Sequence, residues 1–520
     1  MLFQLSYALI GLVLPLAQAM PANSFEERDV PAHIRGKRSF YEDDGVNRTV
    51  FDHEATGKPR SLEAVSAAHM QIPATAAKLP GSLENSHVQH ADSLGKDFVT
   101  NSGICETTAG VNQYSGYLTT GTGEHMWFWF FEARNSPSTA PLSTWFNGGP
   151  GCSSMIGLFQ ENGPCHFVDG SSTPSLNPYS FNEYANMLYV DQPIGTGFSY
   201  GTDTVTSTVT AAPVVWALIQ AFFAQFPKYE SRDFGIFTES YGGHYGPEFA
   251  SYFESQNAAI AKGTVTGQNV SLIALGINNG WYDSTIQQKA YVDFSYNNTY
   301  KAMISASEHK SYLSTYNSDC LPLLQECSST TGSNSACEDA DNTCYNDIEG
   351  PLSQADFDVY DIREPSNDPY PPATYSTYLK SSSVVKAIGA KTTYSECPDA
   401  PYEKFASTGD DARSFVSTLS SVVRSGITVT LWAGDADWIC NWFGGLAVAE
   451  AITYSGSSAF GSKAVTNYTV DGTAGGTFKT EGNLNWLRVF GAGHEVPYYQ
   501  PKLALQVFKQ TMQKQALSST

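Results

Sequence analysis

The sequence predicts an α/β fold, with a mostly parallel central sheet, helices on both faces of that sheet and a disulfide-stapled cap insertion. Apolar strand-like runs alternate with helix-like runs from residue 113 onward, and such alternation is typical of a parallel sheet that is covered on both sides. Between about residues 281 and 397 the alternation breaks, and the chain becomes rich in Ser, Thr, Asn, Asp, Tyr and Cys. We interpret this stretch as an insertion that caps one edge of the sheet and is stapled because its own core is small.

Short apolar runs predict the strands of the sheet. One helix is predicted at 211–225, where Val214, Val215, Leu218 and Ile219 recur at helical spacing. The strands are predicted at 126–131, 143–146, 187–190, 234–237, 427–432 and 486–490.

The N-terminal region has the features of a secreted precursor. Residues 1–19 hold a short apolar run that ends in Ala17-Gln18-Ala19, which predicts a signal peptide; a membrane anchor is the alternative, but the run is too short to span ~30 Å of hydrocarbon. Residues 20–95 are polar and predict a propeptide, and Lys37-Arg38 is either a trimming site or a solvated pair of charges. The core is then expected at 96–280 and 398–520, with the insertion at 281–397.

Composition narrows the possible functions. The formal charge of −22 argues against nucleic-acid binding, which needs a basic surface, and suits a protein that works in acid. No later segment looks long and apolar enough to span a membrane, and the C-terminal tail lacks the signal for a lipid anchor. Four glycosylation triplets agree with passage through the secretory pathway. They begin at Asn47, Asn269, Asn297 and Asn467.

The nine cysteines indicate disulfides with one thiol left over. Four clustered cysteines have mirror-symmetric spacing, which suggests the nested bridges Cys320–Cys344 and Cys327–Cys337. Zinc is the competing interpretation, and oxidising passage together with the lack of interleaved histidines disfavours it. Cys440 lies in an apolar setting that suits a buried free thiol. The residues alone leave the partners of four cysteines open: Cys105, Cys152, Cys165 and Cys397.

The segment Thr238-Glu239-Ser240-Tyr241-Gly242 lies between a predicted strand and a helix-capable stretch. A serine at such a corner sits on a strained turn with its hydroxyl raised above the sheet, so Ser240 is the candidate nucleophile. The usual pattern has glycine where Thr238 stands. By itself the match is weak, because many similar segments are ordinary turns.

A serine nucleophile needs a general base and a carboxylate that orients the base. Asp435 and Asp437 follow the predicted strand 427–432, and His494 follows the strand 486–490. A lone Asp or His in a loop is usually a cap or a surface residue. The order serine, acid, histidine at the ends of successive strands is the order that hydrolases of this sheet type use.

The oxyanion of a reacting substrate needs N–H donors that are already in place. One is expected from Tyr241, directly after Ser240. The other is expected from the glycine-rich loop 145–154, which follows an early strand and lets the backbone approach a substrate closely. A simple glycine turn would explain the glycines but not their position after a strand.

Five segments resemble the signature blocks of the serine carboxypeptidase family, especially its fungal acid members. The resemblance spans about residues 100–510 and implies an α/β-hydrolase fold. It also implies a secreted or vacuolar enzyme that releases single C-terminal residues from peptides and proteins in acid through an acyl-enzyme, without metal or cofactor. The five segments are 145–154, 191–200, 238–247, 433–442 and 491–497.

The resemblance also assigns roles to individual residues. It implies Ser240 as nucleophile, His494 as base and Asp437, rather than Asp435, as the third member of the triad. The N–H groups of Gly149 and Tyr241 would form the oxyanion hole. The terminal carboxylate of the substrate would be held by three side chains, with support from Trp145; these three are Asn147, Glu161 and Glu239.

Two close carboxyl groups cannot both ionise cheaply, so Glu161 and Glu239 would share a proton and titrate as a pair. A protonated pair donates hydrogen bonds to a carboxylate, whereas a doubly ionised pair repels it. Peptide hydrolysis is therefore expected to be best in acid. Without the resemblance, Glu161 could equally be an ordinary carboxylate on a helix face.

The resemblance implies further features of the chain. It implies the bridge Cys152–Cys397, nested bridges in the insertion and a free Cys440, which leaves Cys105 to pair with Cys165. Glu495, directly after the base, occupies a variable position where a carboxylate would favour a basic or polar leaving residue.

Two other functions compete with a carboxypeptidase. An esterase or acyltransferase uses the same scaffold, because a fold does not determine a function. A catalytically inactive binding protein is the second alternative, and the complete triad argues against it.

Overall fold

The computed structural model describes residues 98–168, 170–327, 332–354, 356–367 and 370–520. The predicted signal peptide, the propeptide, the Lys37-Arg38 pair and the glycosylation triplet at Asn47 lie outside the described residues.

Twelve strands form one sheet, in the order β1-β2-β3-β7-β4-β9-β10-β11-β14-β13-β12, with β8 pairing to β3. Strands β5 and β6 form a separate hairpin. The strands are β1 Phe98–Thr100, β2 Gln113–Gly121, β3 Glu124–Phe131, β4 Leu142–Phe146, β5 Cys165–His166, β6 Ser175–Leu176, β7 Asn186–Val190, β8 Tyr200–Gly201, β9 Asp233–Glu239, β10 Ser271–Asn278, β11 Thr428–Gly434, β12 Thr466–Val470, β13 Thr473–Glu481 and β14 Leu484–Val489.

Helices cover the sheet and build the insertion. The α-helices are α1 Thr208–Gln225, α2 Gly242–Ala261, α3 Ser284–Tyr296, α4 Ala306–Thr315, α5 Leu321–Cys327, α6 Asn334–Cys344, α7 Gly350–Ser353, α8 Thr374–Leu379, α9 Ser382–Ile388, α10 Asp399–Ala406, α11 Val416–Arg424, α12 Trp442–Ala451, α13 Ser457–Ser462, α14 Val496–Tyr499 and α15 Pro501–Met512. Shorter turns are the 3₁₀ segments Phe181–Glu183 and Pro227–Tyr229 and the π-helical segments Gly157–Glu161, Tyr316–Cys320 and Tyr345–Glu349.

The centre of the sheet is parallel, as predicted. Strands β7, β4, β9, β10, β11 and β14 run in the same direction, and antiparallel strands flank them on both sides. All six predicted strands are present with ends that differ by a few residues, and the helix predicted at 211–225 begins three residues earlier. The central strand β10 has no counterpart among the strand predictions.

The two faces of the sheet carry separate apolar cores. Side chains of β3 alternate between them: Met126 and Phe128 join one core, whereas Trp127 and Trp129 join the other. This alternation is the period-2 pattern of a strand that is buried on both faces. The C-terminal helix α15 covers the second face, where the ring of Phe508 stacks on Phe181 at a centroid distance of 4.1 Å and packs against the tilted ring of Phe237 at 4.7 Å.

Between β10 and β11 the described residues form helices α3 to α11 and contribute no strand to the sheet. Two nested disulfides, Cys320–Cys344 and Cys327–Cys337, join the helical segments of this region. Cys152–Cys397 ties the end of the predicted insertion to the loop after β4, and Cys105–Cys165 closes the N-terminal part of the core. Cys440 is free and buried. The cysteines are thus paired as the sequence resemblance implies.

Helix α1 has the length and hydropathy of a membrane-spanning segment, unlike the sequence expectation that no such segment exists after the N-terminus. Its apolar side chains Val215, Leu218, Ile219 and Phe222 are buried in the core on one face of the sheet. A buried core helix passes the same test of length and composition, and this packing explains the hydropathy of α1.

Phe508 is expected to be a main contributor to the stability of the fold. Replacing its buried ring by a methyl group in Phe508→Ala should lower the free energy of unfolding by ~3–5 kcal/mol, because the sheet cannot collapse onto the cavity. Unfolding in urea, followed by tryptophan fluorescence, measures the change. The exposed Gln513, just beyond the same helix, provides the control variant Gln513→Ala, and equal stability of the two variants would contradict the expectation.

Candidate active site

Ser240 lies at the sharp corner between β9 and α2. Its φ of 63° is in the left-handed region, which non-glycine residues rarely adopt. Its N–H donates to the backbone oxygens of Asn278 and Asn279 at 3.0 and 3.1 Å, and these bonds hold the turn. The structure therefore gives Ser240 the strained strand-to-helix position that the sequence predicts.

Thr238 replaces the usual glycine of this turn without disturbing it. Its hydroxyl donates to the backbone oxygen of Gly242 at 2.9 Å. A Cβ atom at position 242 would lie 2.4 Å from the Cβ of Thr238, so a glycine there makes room for the threonine. The threonine thus fixes the first turn of α2 behind Ser240.

Asp437 and His494 follow β11 and β14, and the structure brings them together. His494 Nδ1 lies 3.0 Å from Asp437 Oδ2, and both side chains are buried. Asp437 Oδ2 also accepts hydrogen bonds from Asn279 Nδ2 at 2.7 Å and from the N–H of Cys440 at 3.2 Å. These contacts fix the carboxylate so that it orients the imidazole.

Asp435 has a different environment. Its carboxylate accepts hydrogen bonds from Tyr300 Oη at 2.5 Å, from the N–H of Gly491 at 2.9 Å and from Arg488 at 3.0 Å. It therefore joins the two loops that carry Asp437 and His494. This geometry agrees with the expectation that Asp437, and not Asp435, orients the histidine.

The electrostatic environment of His494 favours its charged form. Burial lowers the pKa of the imidazole, but the carboxylates of Asp437, Glu239 and Glu495 outweigh burial and raise the pKa to about 9. Among the described residues, the hydroxyl of Ser240 forms no hydrogen bond with His494. In unliganded enzymes this bond is often long and tightens only when substrate binds.

A segment of the insertion at 357–364 packs over the loops that carry the acid and the base. The backbone oxygen of Tyr360 accepts from the N–H of His494 at 2.8 Å, and that of Val359 accepts from the N–H of Trp438 at 3.1 Å. The N–H of Ile362 donates to Ala436 at 2.9 Å. No side-chain motif marks these backbone contacts, so the sequence analysis did not find them.

The two expected oxyanion donors lie at neighbouring turns. Neither the N–H of Gly149 nor that of Tyr241 donates a hydrogen bond to another described residue. A Cβ atom at Gly148 would lie 2.3 Å from the nitrogen of Tyr241, so only glycine allows the loop after β4 to come this close to the nucleophile turn. Gly149 has a φ of 114°, which glycine tolerates best.

Hydrogen bonds to Asp191 hold this glycine-rich loop in place. Its carboxylate accepts hydrogen bonds from Ser153 Oγ at 2.6 Å and from the N–H groups of Ser154 and Phe198 at 3.0 and 2.9 Å. Burial raises the pKa of Asp191 to about 7, although these donors oppose the shift. The sequence analysis singled out the 191–200 block as a family signature but gave Asp191 no role.

The three expected carboxylate-binding side chains form a buried cluster. Asn147 Oδ1 accepts from Trp145 Nε1 at 2.8 Å and from the N–H of Gly157 at 2.9 Å. These two donors turn the amide so that Asn147 Nδ2 donates to Glu239 at 3.1 Å and to Glu161 at 3.3 Å. Glu161 lies in a π-helical segment, a feature that often marks functional sites.

The two glutamates of this cluster favour a shared proton. Burial raises the pKa of Glu161 well above its usual range, and the charge of Glu239 raises it further. Burial also raises the pKa of Glu239, but His494, Glu161 and Asn278 oppose the shift. Among the described residues, Glu161 Oε2 has no hydrogen-bond partner. One proton shared by the two carboxyl groups avoids two adjacent buried charges.

Glu495 follows His494 and is buried. Its charge acts on both Glu161 and His494. A cavity of about 160 Å³ is lined by Gln160, which precedes Glu161, and by Tyr498 in the helix that begins after Glu495. Glu495 therefore lies close enough to the base and to the carboxylate-binding cluster for its charge to act on both.

One group of side chains has the composition of a metal site. Ligand atoms of Asp437, Cys440 and His494 lie within 4.8 Å of one another. Within this group, Asp437 Oδ2 and His494 Nδ1 are already hydrogen-bonded to each other, which fits an acid that orients a catalytic base.

Comparisons with known proteins show the family of the chain. A family model described as serine carboxypeptidase matches residues 103–514. Carboxypeptidase S1 from Penicillium janthinellum is 69% identical over 424 residues, which cover 81% of this chain and 100% of that protein. Carboxypeptidase S1 homolog A from Arthroderma otae is 35% identical, and the match covers 88% of this chain and 82% of that protein.

The solved structure of Kex1(delta)p, a prohormone-processing carboxypeptidase from Saccharomyces cerevisiae, matches with a TM-score of 0.66. The match has 22% identity and covers 79% of this chain and 93% of that one, so it concerns the fold. The predicted α/β-hydrolase fold is confirmed. The chain therefore belongs to the serine carboxypeptidase family and is a hydrolase of the exopeptidase class.

Proposed function

We propose that the enzyme releases single C-terminal amino acids from peptides and proteins in acid, through an acyl-enzyme on Ser240. The observation that carries this proposal is the buried cluster of Asn147, Glu161 and Glu239 beside the Asp437–His494 pair. An endopeptidase or esterase has no need of buried paired carboxyl groups at this position. A group that binds the terminal carboxylate explains them.

The reaction follows from the positions of the groups. Ser240 attacks the last peptide carbonyl while His494 accepts the hydroxyl proton, and Asp437 stabilises the imidazolium that forms. The N–H groups of Gly149 and Tyr241 bind the oxyanion. His494 then gives its proton to the leaving amine, and the rest of the peptide remains esterified to Ser240. Water repeats the attack and releases the shortened peptide.

The carboxylate-binding cluster also makes substrate binding depend on pH. A proton shared by Glu161 and Glu239 turns the pair from a repelling dianion into a hydrogen-bond donor for the substrate carboxylate. Uptake of this proton in acid therefore prepares the cluster to bind the end of the peptide.

We also propose that the protein is made as a precursor and passes through the secretory pathway, to a secreted or vacuolar location. The four disulfides support an oxidising route. Glycosylation is proposed at the three triplets within the described residues, which are exposed; they begin at Asn269, Asn297 and Asn467.

The main test compares a blocked dipeptide that ends in a free carboxylate with the same compound amidated. We expect selective cleavage of the free acid. The raised pKa of the pair keeps it protonated, and able to bind a carboxylate, in acid. KM should therefore rise as pH increases through the titration of the pair. The amide should lack this dependence. Steady-state kinetics from acid to neutral pH measure both profiles.

Two results would contradict the proposal. Equal cleavage of the acid and the amide would remove the role of the carboxylate-binding cluster. Hydrolysis of a simple ester without any peptide turnover would favour the esterase or acyltransferase alternative.

Glu239→Gln should move the rise of KM for the free-acid peptide to lower pH, because the neutral amide removes the charge of Glu239 that helps to raise the pKa of Glu161. In the native enzyme we expect KM to change about tenfold for each pH unit above the titration. Glu248→Gln is a suitable control, since Glu248 is a largely buried carboxyl whose pKa is raised to about 7 outside this cluster. An unchanged profile in Glu239→Gln would rule out the paired-carboxyl explanation.

Glu495→Met should shift the preference for the released residue from basic or polar towards apolar. We expect the ratio of kcat/KM for C-terminal Arg to that for Phe to fall by about tenfold, because a methionine removes the attracting charge. Release of Arg, Phe and Asp from otherwise identical peptides measures the ranking. If the ranking stays the same, Glu495 does not determine specificity.

A further inference from the structure

The segment Gly276-Ile277-Asn278-Asn279-Gly280 closes β10 at the middle of the catalytic edge, and the mechanism above gives it no task. Strand β10 lies between β9, which leads to Ser240, and β11, which leads to Asp437. The two consecutive asparagines, Asn278 and Asn279, therefore lie at the place where the nucleophile, the acid and the base meet. Both are fully buried, and burying two polar side chains is costly unless their hydrogen bonds are used.

Asn278 contacts three parts of the site. Its backbone oxygen accepts the N–H of Ser240 at 3.0 Å. Its side-chain Nδ2 donates to Glu239 Oε2 at 2.7 Å and to the backbone oxygen of His494 at 2.9 Å. One amide thus joins a carboxyl of the binding cluster to the residue that serves as base.

Asn279 makes a matching set of contacts on the other side. Its Nδ2 donates to Asp437 Oδ2 at 2.7 Å, and its Oδ1 accepts the N–H of Gly434 at 3.1 Å. Its backbone N–H donates to Trp432 at 2.7 Å. Asn279 thus supports the triad carboxylate, and it has no hydrogen bond to Glu239 or Glu161.

We propose that Asn278 is a positioning residue that fixes the shared proton of the carboxylate-binding pair on Glu161 and holds the ionised oxygen of Glu239 next to the base. This inference rests on the proposed function. The physical reason is that an amide N–H favours the ionised form of the carboxylate to which it donates. Asn147 donates to both glutamates, whereas Asn278 donates to only one of the two, Glu239.

Other charged or titratable groups also act on the pair. His494 favours the ionised form of Glu239, and Asp437 opposes it. Glu495 opposes ionisation of Glu161. These charges remain when the Asn278 amide is removed. The difference in titration pH between the native enzyme and an Asn278 variant therefore measures the effect of the amide. The remaining titratable neighbours are Tyr189 on β7, which interacts with Glu161, and Cys440, which interacts with Glu239.

The test is the pH dependence of KM for the free-acid dipeptide in Asn278→Ala. Without the amide donor, the pair should keep its shared proton to higher pH. The rise of KM should therefore move upward by about one pH unit. A residue with a purely structural role would change kcat or stability without moving this profile.

Asn279→Ala is the matched comparison, because it removes the neighbouring amide that contacts Asp437 and not the pair. We expect a lower kcat, and KM should rise at the same pH as in the native enzyme. Asn278→Leu replaces the side chain by one of similar volume without a donor, and it should show the same shift as Asn278→Ala. It serves as the test variant if the alanine variant does not fold, with ester hydrolysis as the sign of an intact triad.

The outcomes separate this inference from the proposed function. A shifted profile in the Asn278 variants, together with an unshifted one in Asn279→Ala, would support the role of Asn278. An unshifted profile in the Asn278 variants, or the same shift in Asn279→Ala, would overturn it. If the native enzyme does not distinguish the free acid from the amide, the proposed function itself fails.

Discussion

Two buried carboxyl groups at hydrogen-bond distance from one amide impose the main constraint on this molecule. Glu161 and Glu239 both contact Asn147, and their burial would be unfavourable if both carried a charge. Hydrogen bonds from Asn147 and Asn278 relieve part of that cost, and the proposed shared proton would relieve more. In the proposed reaction, the same cluster binds the carboxylate at the end of the peptide chain.

The parallel sheet explains how residues that are far apart in the sequence meet at the candidate active site. Strands β9, β10, β11 and β14 are adjacent and run in the same direction, so the segments after them share one edge. Ser240, Asp437 and His494 each follow one of these strands, and the two asparagines after β10 connect them. The insertion then adds its backbone at 357–364 above the acid and base loops. Core and insertion therefore build the site jointly.

Much of this arrangement could be predicted from the sequence, because local patterns carry it. Strand-like runs followed by short polar loops predicted the sheet, and the order of Ser240, Asp437 and His494 predicted the triad. Because neighbouring parallel strands end at the same edge of the sheet, the residues that follow them are brought close together. Family resemblance, and not spacing, singled out Glu161 and chose Asp437 over Asp435.

Other contacts could not be predicted because they are made by backbone atoms or by amides between distant segments. Nothing local marks Tyr360 as the residue whose carbonyl accepts the N–H of His494, or Asp191 as the anchor of the glycine loop. The three partners of Asn278 come from the ends of two other strands. The disulfide Cys152–Cys397 also joins distant segments, with a sequence separation of 245 between its two cysteines. Because residue 397 leaves the ribosome long after residue 152, the glycine loop cannot be locked by this bond while the first half of the protein is being made, and the covalent completion of the catalytic centre must wait until most of the polypeptide has been translated.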